Sequence, residues 1–121
     1  MKILAIDTAS KICSVAILEN DDIIDEVNLD NGQTHSENLM PMVAKILEKN
    51  HVTLADFELL SCCIGPGSFT GIRIGVASVK AMAEVAKLPV IGVNSLETLA
   101  KLDTSPKLKI SLIDARNHQV Y

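Results

Sequence analysis

Three features of this sequence have residue types and positions at which chemistry could take place. One is the glycine-rich segment 65–75 (GPGSFTGIRIG), and the others are Asp7 and Asp114, each directly after an apolar run typical of a buried strand. The glycine-rich segment joins a predicted strand to a predicted helix, a junction where backbone N–H groups can bind an anion. Whether these features bind phosphate depends on their local sequence and on the elements that position them.

The glycine-rich segment departs from both common phosphate-binding loops. A Walker A loop ends in Gly-Lys-Ser/Thr, but here Gly71 is followed by Ile72 and Arg73. A dinucleotide-binding fingerprint requires a third glycine where Thr70 stands, and its central position would fall on Pro66, which has no N–H. The sequence therefore disfavours a phosphate-loop role for this segment.

The histidines do not form a metal-binding pattern. His35, His51 and His118 share no helical face at close spacing, and the HExxH motif is absent. His35 and Glu37 resemble an acid–base pair, but Glu37 is better explained by capping-box spacing from Thr34. We therefore predict no metal site and no metallopeptidase activity, and interpret each histidine as a surface or capping residue.

The cysteines are interpreted as reduced structural thiols. Cys13, Cys62 and Cys63 lie in runs typical of buried strands, and no CxxC motif is present. Adjacent cysteines such as Cys62 and Cys63 do not form an ordinary unstrained disulfide. A reducing, cytoplasmic location is expected.

The composition excludes several classes of function. The chain has 121 residues, 48% of them hydrophobic and 21% charged, which fits one folded domain better than a disordered segment. With a net charge of −4 and 2% aromatic residues, the chain lacks the basic surface and stacking groups of a nucleic-acid binder, so we expect no direct tRNA binding. The apolar run that follows Met1 is too short for a signal peptide or a membrane span.

The hydrophobic pattern predicts an α/β domain. Three strands in a meander are followed by alternating helices and strands, an order that makes the later strands parallel. We expect a five-stranded mixed sheet with helices on both faces. The predicted strands are 2–7, 12–18, 22–29, 58–64, 90–93 and 108–113, and the predicted helices are 34–50, 70–87 and 95–103, the last capped by Ser95.

An internal repeat suggests a second domain. The segments 2–9 (KILAIDTA) and 109–116 (KISLIDAR) share Lys, Ile, Ile and Asp at matching places, although chance can match strands of this composition. We predict an N-terminal domain over 1–106, with 107–121 forming the first strand and turn of a second, truncated domain.

Tandem domains of this kind resemble the actin and sugar-kinase superfamily (the actin-like, ribonuclease H-like ATPase fold), in which two aspartate-bearing turns face each other across a nucleotide cleft. The resemblance makes Asp7, Thr8 and Asp114 a candidate phosphate turn. Glycine usually follows the aspartate there, whereas Thr8 and Ala9 follow Asp7 in this chain, and a Cβ limits close approach to phosphate. We predict no tightly bound cofactor, and leave weak ATP or ADP binding by a full-length protein open.

The helix predicted over 70–87 suggests an interface. Its charged residues share one narrow stripe, and the rest of its surface is apolar or small, so nearly all of it needs cover. Gly67, Gly71 and Gly75 recur every fourth residue as a ridge that would let another helix approach closely. We favour a subunit interface formed with the helix 34–50 over burial by a missing second domain.

Five segments together resemble the TsaB (YeaZ-like) family. They cover the whole chain in order, and the glycine-rich string is the most specific of them. The segments are ILAIDTA at 3–9, THSENLMP at 34–41, GPGSFTGIRIG at 65–75, PVIGV at 89–93 with Ser95-Leu96, and IDAR at 113–116.

The resemblance implies a non-catalytic scaffold or activator subunit in threonylcarbamoylation of the tRNA adenosine beside the anticodon. Its implied partners are a catalytic TsaD-like paralogue, bound through the first two helices, and a TsaE-like ATPase, with a homodimer when the chain is alone. The implied interface residues are His35, Leu39, Met42, Phe69, Gly71, Arg73, Gly75 and Lys80.

Two other functions stay open at this point. The superfamily resemblance is compatible with a nucleotide-binding ATPase or small-molecule kinase, which would need a second domain, a phosphate turn and a base. A self-contained regulatory dimer is the other alternative. The sequence does not rank homodimer against heterodimer, and does not decide whether nucleotide binds or tRNA touches the chain.

Overall fold

The computed structural model describes all 121 residues, and its centre is a five-stranded sheet. The strands are β1 (Lys2–Asp7), β2 (Cys13–Glu19), β3 (Asp22–Leu29), β4 (Leu59–Gly65), β5 (Val90–Asn94), β6 (Asp114–Arg116) and β7 (Gln119–Val120), and the helices are α1 (His35–Lys49), α2 (Phe69–Ala86) and α3 (Ser95–Leu102), with a 3₁₀ turn at Leu54–Asp56. The strand order in the central sheet is β3-β2-β1-β4-β5, and β6 and β7 form a separate two-stranded sheet.

The five-stranded sheet is mixed, as predicted. β1 and β2 form an antiparallel hairpin, in which Ile6 pairs with Val15, and β3 continues the meander at the sheet edge. β4 then pairs with β1 in parallel, with Ile6 beside Cys62, and β5 pairs with β4 in parallel. β1 is therefore the central strand, and its carboxyl end lies beside that of β4.

The core lies between one face of the sheet and two helices. Alternate side chains of β1 and β2 point to that face, and α1 and α2 cover it and contact each other. Fully burying one large aliphatic side chain contributes about 1.5–3 kcal/mol relative to exposure. The fully buried large side chains include Leu4, Val15, Ile17, Leu39, Ile46, Leu60 and Val79.

Each helix begins at a residue that satisfies its free backbone N–H groups. Glu37 accepts a hydrogen bond from the N–H of Thr34 at 3.2 Å, as the capping-box spacing predicts. The predicted cap of α3 was wrong by one residue: Asn94 is the N-cap, accepting from the N–H groups of Leu96 and Glu97, and Ser95 is the first helical residue. None of these helices is both long enough and apolar enough to cross a membrane.

The second face of the sheet is only partly covered. The neighbouring thiols Cys62 and Cys63 are both buried, and successive residues of a strand point to opposite faces. Cys62 belongs to the core under α1 and α2, so Cys63 points to the second face. Ser95, at the start of α3, donates a hydrogen bond to the carbonyl of Pro66. α3 contributes no side chain to the main core and contacts β4 and β5.

The prediction of a strand over 108–113 is wrong in this structure. Residues 108–112 have no partner strand, and the apolar side chains of Leu108, Ile110 and Leu112 are exposed at 93%, 79% and 60%. Ile113 exchanges backbone hydrogen bonds with Tyr121 and so extends the β6-β7 pairing by one residue. β6 begins at Asp114 and pairs with β7 across a tight turn. Apolar alternation gives a segment the tendency to form a strand, but backbone hydrogen bonds from a neighbour complete one. The domain boundary at residue 106 stays a prediction.

Candidate functional site

The turn between β1 and β2 lies at the carboxyl end of the central strand. Asp7 is exposed, and its Oδ1 accepts a hydrogen bond from the N–H of Ala9 at 2.8 Å. Thr8, by contrast, is only 1% exposed, and its hydroxyl donates to the carbonyl of Gly71 at 2.7 Å. The N–H of Ser68 donates to the carbonyl of Ala9 at 2.7 Å. The turn is therefore held against the start of α2.

The glycine ridge of α2 receives this turn. A Cβ at Gly71 would overlap the carbonyl oxygen of Thr8, and a Cβ at Gly75 would overlap the Thr8 hydroxyl. At Gly67 an added Cβ would lie 3.0 Å from that of Ala9. The glycine ridge does permit a close approach, but the element that approaches it is the β1–β2 turn of the same domain. The prediction that it accommodates a neighbouring helix is wrong for this part of the surface.

His35 connects α1 to the same turn. Its Nε2 lies 2.7 Å from the carbonyl oxygen of Ser10, which makes Nε2 the protonated donor. Its Cδ2 lies 3.0 Å from the place where a Cβ of Gly71 would stand, and its Nδ1 is buried without a hydrogen-bond partner. His35 is half-buried and joins three elements, so most of its contacts are internal.

Four of the predicted interface residues lie inside the domain. Leu39 and Met42 on α1 are 1% and 6% exposed and belong to the core, and Gly71 and Gly75 are buried against Thr8. These residues shape the helices from within and present little surface to a second molecule. The sequence pattern identified an apolar helix face but did not show which element of the chain covers it.

The other predicted interface residues on α2 point outward. Phe69 is 74% exposed, and the guanidinium carbon of Arg73 lies 5.1 Å from the centre of its ring. Lys80 is exposed two helical turns after Arg73 on the same side of α2, and Ala77, between Arg73 and Lys80, is also exposed. We define the outer face of α2 as Phe69, Thr70, Arg73, Ala77, Lys80 and Ala81, all of which are exposed.

The phosphate-turn residues are only partly available to a ligand. Thr8 has its hydroxyl committed to α2, so of the three candidates only Asp7 and Asp114 expose their side chains. Asp114 lies in the separate β6-β7 sheet, where its Oδ1 accepts from the N–H of Arg116 at 2.8 Å. Asp7 makes the same bond to the residue two positions on, which supports the repeat seen in the sequence.

Two backbone N–H groups of the glycine-rich loop are used inside the domain. Its Ser68 N–H is bonded to Ala9, and the N–H of Gly71 is bonded to the hydroxyl of Ser68 at 3.2 Å. The positive φ of Gly65, +97°, serves the turn that leaves β4. Two N–H groups at the start of α2, those of Ser68 and Gly71, are therefore committed to internal bonds and are not available to an anion.

The thiols near the turn are held in their neutral form. Burial raises the pKa of Cys63, and the nearby carboxylate of Asp7 raises it further. Burial likewise raises the pKa of Cys13 and Cys62. A neutral thiol is a poor nucleophile, and all three cysteines are unpaired. No group of three or more His, Cys, Asp or Glu side chains comes close enough to hold a metal ion.

Comparison with known proteins identifies the family. A family model described as TsaD, tRNA N6-adenosine threonylcarbamoyltransferase, matches residues 29–121. The tRNA threonylcarbamoyladenosine biosynthesis protein TsaB of Escherichia coli (strain K12) is 40% identical over all of this chain and 53% of its own length. The chain belongs to the TsaB (YeaZ-like) family. The resemblance recognised from the five sequence segments is thereby confirmed.

Solved structures confirm the fold of this family member. YeaZ from Pseudomonas aeruginosa matches with a TM-score of 0.77 at 32% identity, over 84% of this chain and 49% of the YeaZ chain. Thermus thermophilus RuvC, in complex with a Holliday junction substrate, matches with a TM-score of 0.57 at 13% identity over 86% of this chain and 71% of its own, which shows the fold alone. The predicted actin-like, ribonuclease H-like fold is confirmed. The chain spans about half the length of the curated relative it matches.

Proposed function

We propose that this chain acts in tRNA threonylcarbamoyladenosine biosynthesis as a non-catalytic subunit that docks a catalytic TsaD-like paralogue. The observation that carries the proposal is the 40% identity to Escherichia coli TsaB over the entire chain. The family model that matches 29–121 describes the transferase itself, which supports a relationship by descent between the chain and its proposed partner.

The local chemistry supports a docking role over a catalytic one. The hydroxyl of Thr8 is committed to α2, and the raised pKa of each thiol keeps it neutral. The N–H groups of Ser68 and Gly71 at the start of α2 serve internal bonds. We therefore propose no resident cofactor for this chain, and weak ATP or ADP binding by a full-length protein is compatible with the exposed Asp7.

The outer face of α2 is the proposed docking surface. Phe69 and Arg73 lie at its N-terminal end and Lys80 near its middle, with small exposed alanines between and beside them. The first turn of α1 lies beside this surface, because His35 contacts both the β1–β2 turn and Gly71. Leu39, Met42, Gly71 and Gly75 support the surface from inside.

The further partners follow from the same proposal. A TsaE-like ATPase joins the complex, and the chain forms a homodimer when the paralogue is absent. The net charge of −4 favours a role without direct tRNA contact, in the cytoplasm where the pathway's tRNA substrate is found.

Co-elution with the TsaD-like paralogue of the same cell tests the proposal. Ala77→Trp adds bulk to the exposed centre of the outer face without changing a buried contact, so it is expected to abolish co-elution on size exclusion. Lys101→Trp on α3 is the matched control, because Lys101 is also exposed and lies on another helix. If the wild-type chain and a longer form that continues past residue 121 both fail to bind the paralogue, the partner-subunit role is wrong.

A further inference from the structure

Two cations on the outer face of α2 have no acidic partner in the chain. The ion pairs join the N-terminus to Glu58, Lys2 to Glu19, Lys49 to Asp25, and Lys87 to Glu84; neither Arg73 nor Lys80 takes part. At a spacing of seven residues these two side chains leave the same side of the helix, about 10 Å apart along its axis. Both are exposed, although the whole chain carries a net charge of −4.

Arg73 is held in place before any partner arrives. Its guanidinium stands over the ring of Phe69, 5.1 Å from the ring centre, and Phe69 is itself 74% exposed. A cation over an aromatic face is stabilised by the ring, while its N–H donors stay free at the edge. The stack therefore presents a planar, pre-ordered donor group suited to a carboxylate.

A surface depression with apolar lining residues lies beside Arg73. A shallow open depression of about 360 Å³ is lined by Thr70, Arg73, Ile74 and Ala77. Ala77 and Ile74, which also packs against the core, supply the apolar part of the lining. The depression can hold one aliphatic side chain of a partner segment. The residues that flank this side chain in the partner would then lie near Arg73 on one side and near Lys80 on the other.

We infer that the TsaD-like partner binds the outer face of α2 with a segment that places acidic side chains on both sides of an apolar one. The carboxylates pair with Arg73 and Lys80, and the apolar side chain enters the depression at Ala77. This inference rests on the proposed function and specifies the chemistry of the partner surface. Pairing the stacked Arg73 and the exposed Lys80 with carboxylates gives orientation and a fast encounter as well as affinity.

Other occupants of the face fit less well. The same face of a second copy carries the same two cations, and the only carboxylate of α2, Glu84, is already paired with Lys87 at 2.7 Å. A nucleic acid would satisfy the cations but would leave the apolar depression and much of the Phe69 ring without a matching surface. A protein segment with both acidic and apolar side chains can pair with the two cations, fill the depression and cover the Phe69 ring.

Variants that reverse the charge at Arg73 or Lys80 test the inference. Binding of the chain to its purified TsaD-like paralogue is followed by titration calorimetry for wild type, Arg73→Glu, Lys80→Glu and Arg73→Lys. We expect Arg73→Glu and Lys80→Glu each to raise Kd about tenfold or more, and Arg73→Lys to give a smaller increase, because it keeps the charge but loses the planar fork. Lys101→Glu, an exposed reversal on α3, is the control and is expected to leave Kd unchanged.

Wild-type binding should also weaken as salt rises from about 0.05 M to about 0.5 M, because screening reduces charge attraction.

A rescue experiment identifies the carboxylates. Acidic residues of the paralogue are changed to arginine one at a time, and one of these variants is expected to restore binding to Arg73→Glu.

The outcomes separate the two levels of proposal. If wild type binds but both reversals bind equally well at every salt concentration, the charge inference is overturned while the docking role stands. If the reversals abolish only self-association, the occupant is a second copy, and if they abolish only tRNA binding, it is a nucleic acid; either result overturns the inference. Failure of wild-type and longer chains to bind the paralogue overturns both proposals. Circular dichroism of each variant confirms that the helix content is unchanged.

Discussion

Thr8 is the residue on which the contact between the central strand and α2 depends. Its side chain is buried, its hydroxyl donates to Gly71 at 2.7 Å, and the same oxygen occupies the space that a Cβ at Gly75 would need. Glycine in the middle of a helix costs about 1 kcal/mol relative to alanine. Glycine occupies positions 71 and 75 despite this cost, because the β1–β2 turn packs against both of them.

A double-mutant cycle tests this contact. In the wild-type background Gly75→Ala is expected to destabilise the fold by about 1–3 kcal/mol, because the new methyl overlaps the Thr8 hydroxyl. In a Thr8→Ala background the overlap is gone, and the nearest remaining Thr8 atom, Cβ, lies at 3.5 Å. Gly75→Ala should then be neutral or stabilising by up to about 1 kcal/mol, since only the helix-propensity gain remains. Urea unfolding measures all four proteins.

The control for this cycle lies on the same helix. Ala81→Gly changes the same pair of residue types at an exposed position, so it should cost about 1 kcal/mol in both backgrounds. Equal effects of Gly75→Ala with and without Thr8→Ala would show that the contact does not exist.

At the scale of elements, α1 is attached at both ends to the strands it covers. His35 binds the β1–β2 turn at one end. At the other end, the carboxylate of Asp25 on β3 pairs with Lys49 at 2.8 Å and accepts a hydrogen bond from Asn50 at 2.7 Å. The hydrogen bond from Lys49, followed by that from Asn50, lowers the pKa of Asp25 below its ordinary value. The edge strand is thereby fixed to the end of the helix.

The pH dependence of stability tests this attachment. A carboxyl group with a lowered pKa in the folded state binds protons first in the unfolded state, so it stabilises the fold above the ordinary aspartate range and loses that effect as pH falls through the folded-state pKa. Asp25→Asn is therefore expected to lower the unfolding free energy at neutral pH and to flatten its decrease below about pH 4.

Asp22→Asn, on the same strand and exposed, provides the comparison. Asp22 makes no ion pair, so this variant should keep the wild-type slope. If the Asp25→Asn and wild-type profiles run parallel through the acid range, the pairing with Lys49 does not contribute in solution.

At the scale of the whole molecule, the main core and the C-terminal hairpin are separate. β6 and β7 contact mainly each other, and the segment before them leaves Leu108, Ile110 and Leu112 largely exposed. An isolated two-stranded hairpin is marginal in water, so these residues add little to the stability of the five-stranded domain.

Truncation tests this separation. A chain ending at residue 106 is expected to unfold cooperatively with a free energy within about 1 kcal/mol of the 121-residue chain, because the core lies entirely before that point. A chain ending at residue 88 also loses β5 and α3, and should unfold with a lower midpoint. A large loss of stability on truncation at 106 would place the predicted domain boundary in the wrong position.

Much of this architecture could be predicted from local pattern. The strand alternation gave the meander and the parallel crossovers, and the capping-box spacing of Thr34 and Glu37 placed the start of α1. Asp7 and Asp114 were found because each ends an apolar run, and both make the same two-residue turn. These features are local, because backbone geometry and side-chain period act within a few residues.

The candidate site was predicted only in part. Phe69, Arg73 and Lys80 are exposed on α2 and their interface role stays a prediction, whereas Leu39 and Met42 are core residues. An amphipathic or apolar face shows that a helix needs cover, but the same pattern results from cover by a sheet, by a loop or by another protein. No local signal distinguishes these cases.

By itself the sequence determined the fold class, the order of the elements and the family, because these depend on periodicity, caps and residue identity along the chain. Only the tertiary structure decided what the glycine ridge of α2 receives and which cations of that helix are left unpaired. Thr8 and Gly75 are far apart in sequence, and Arg73 takes part in none of the ion pairs of the folded chain. Contacts of that kind are set by how the sheet and helices pack together, after the local pattern has formed each element.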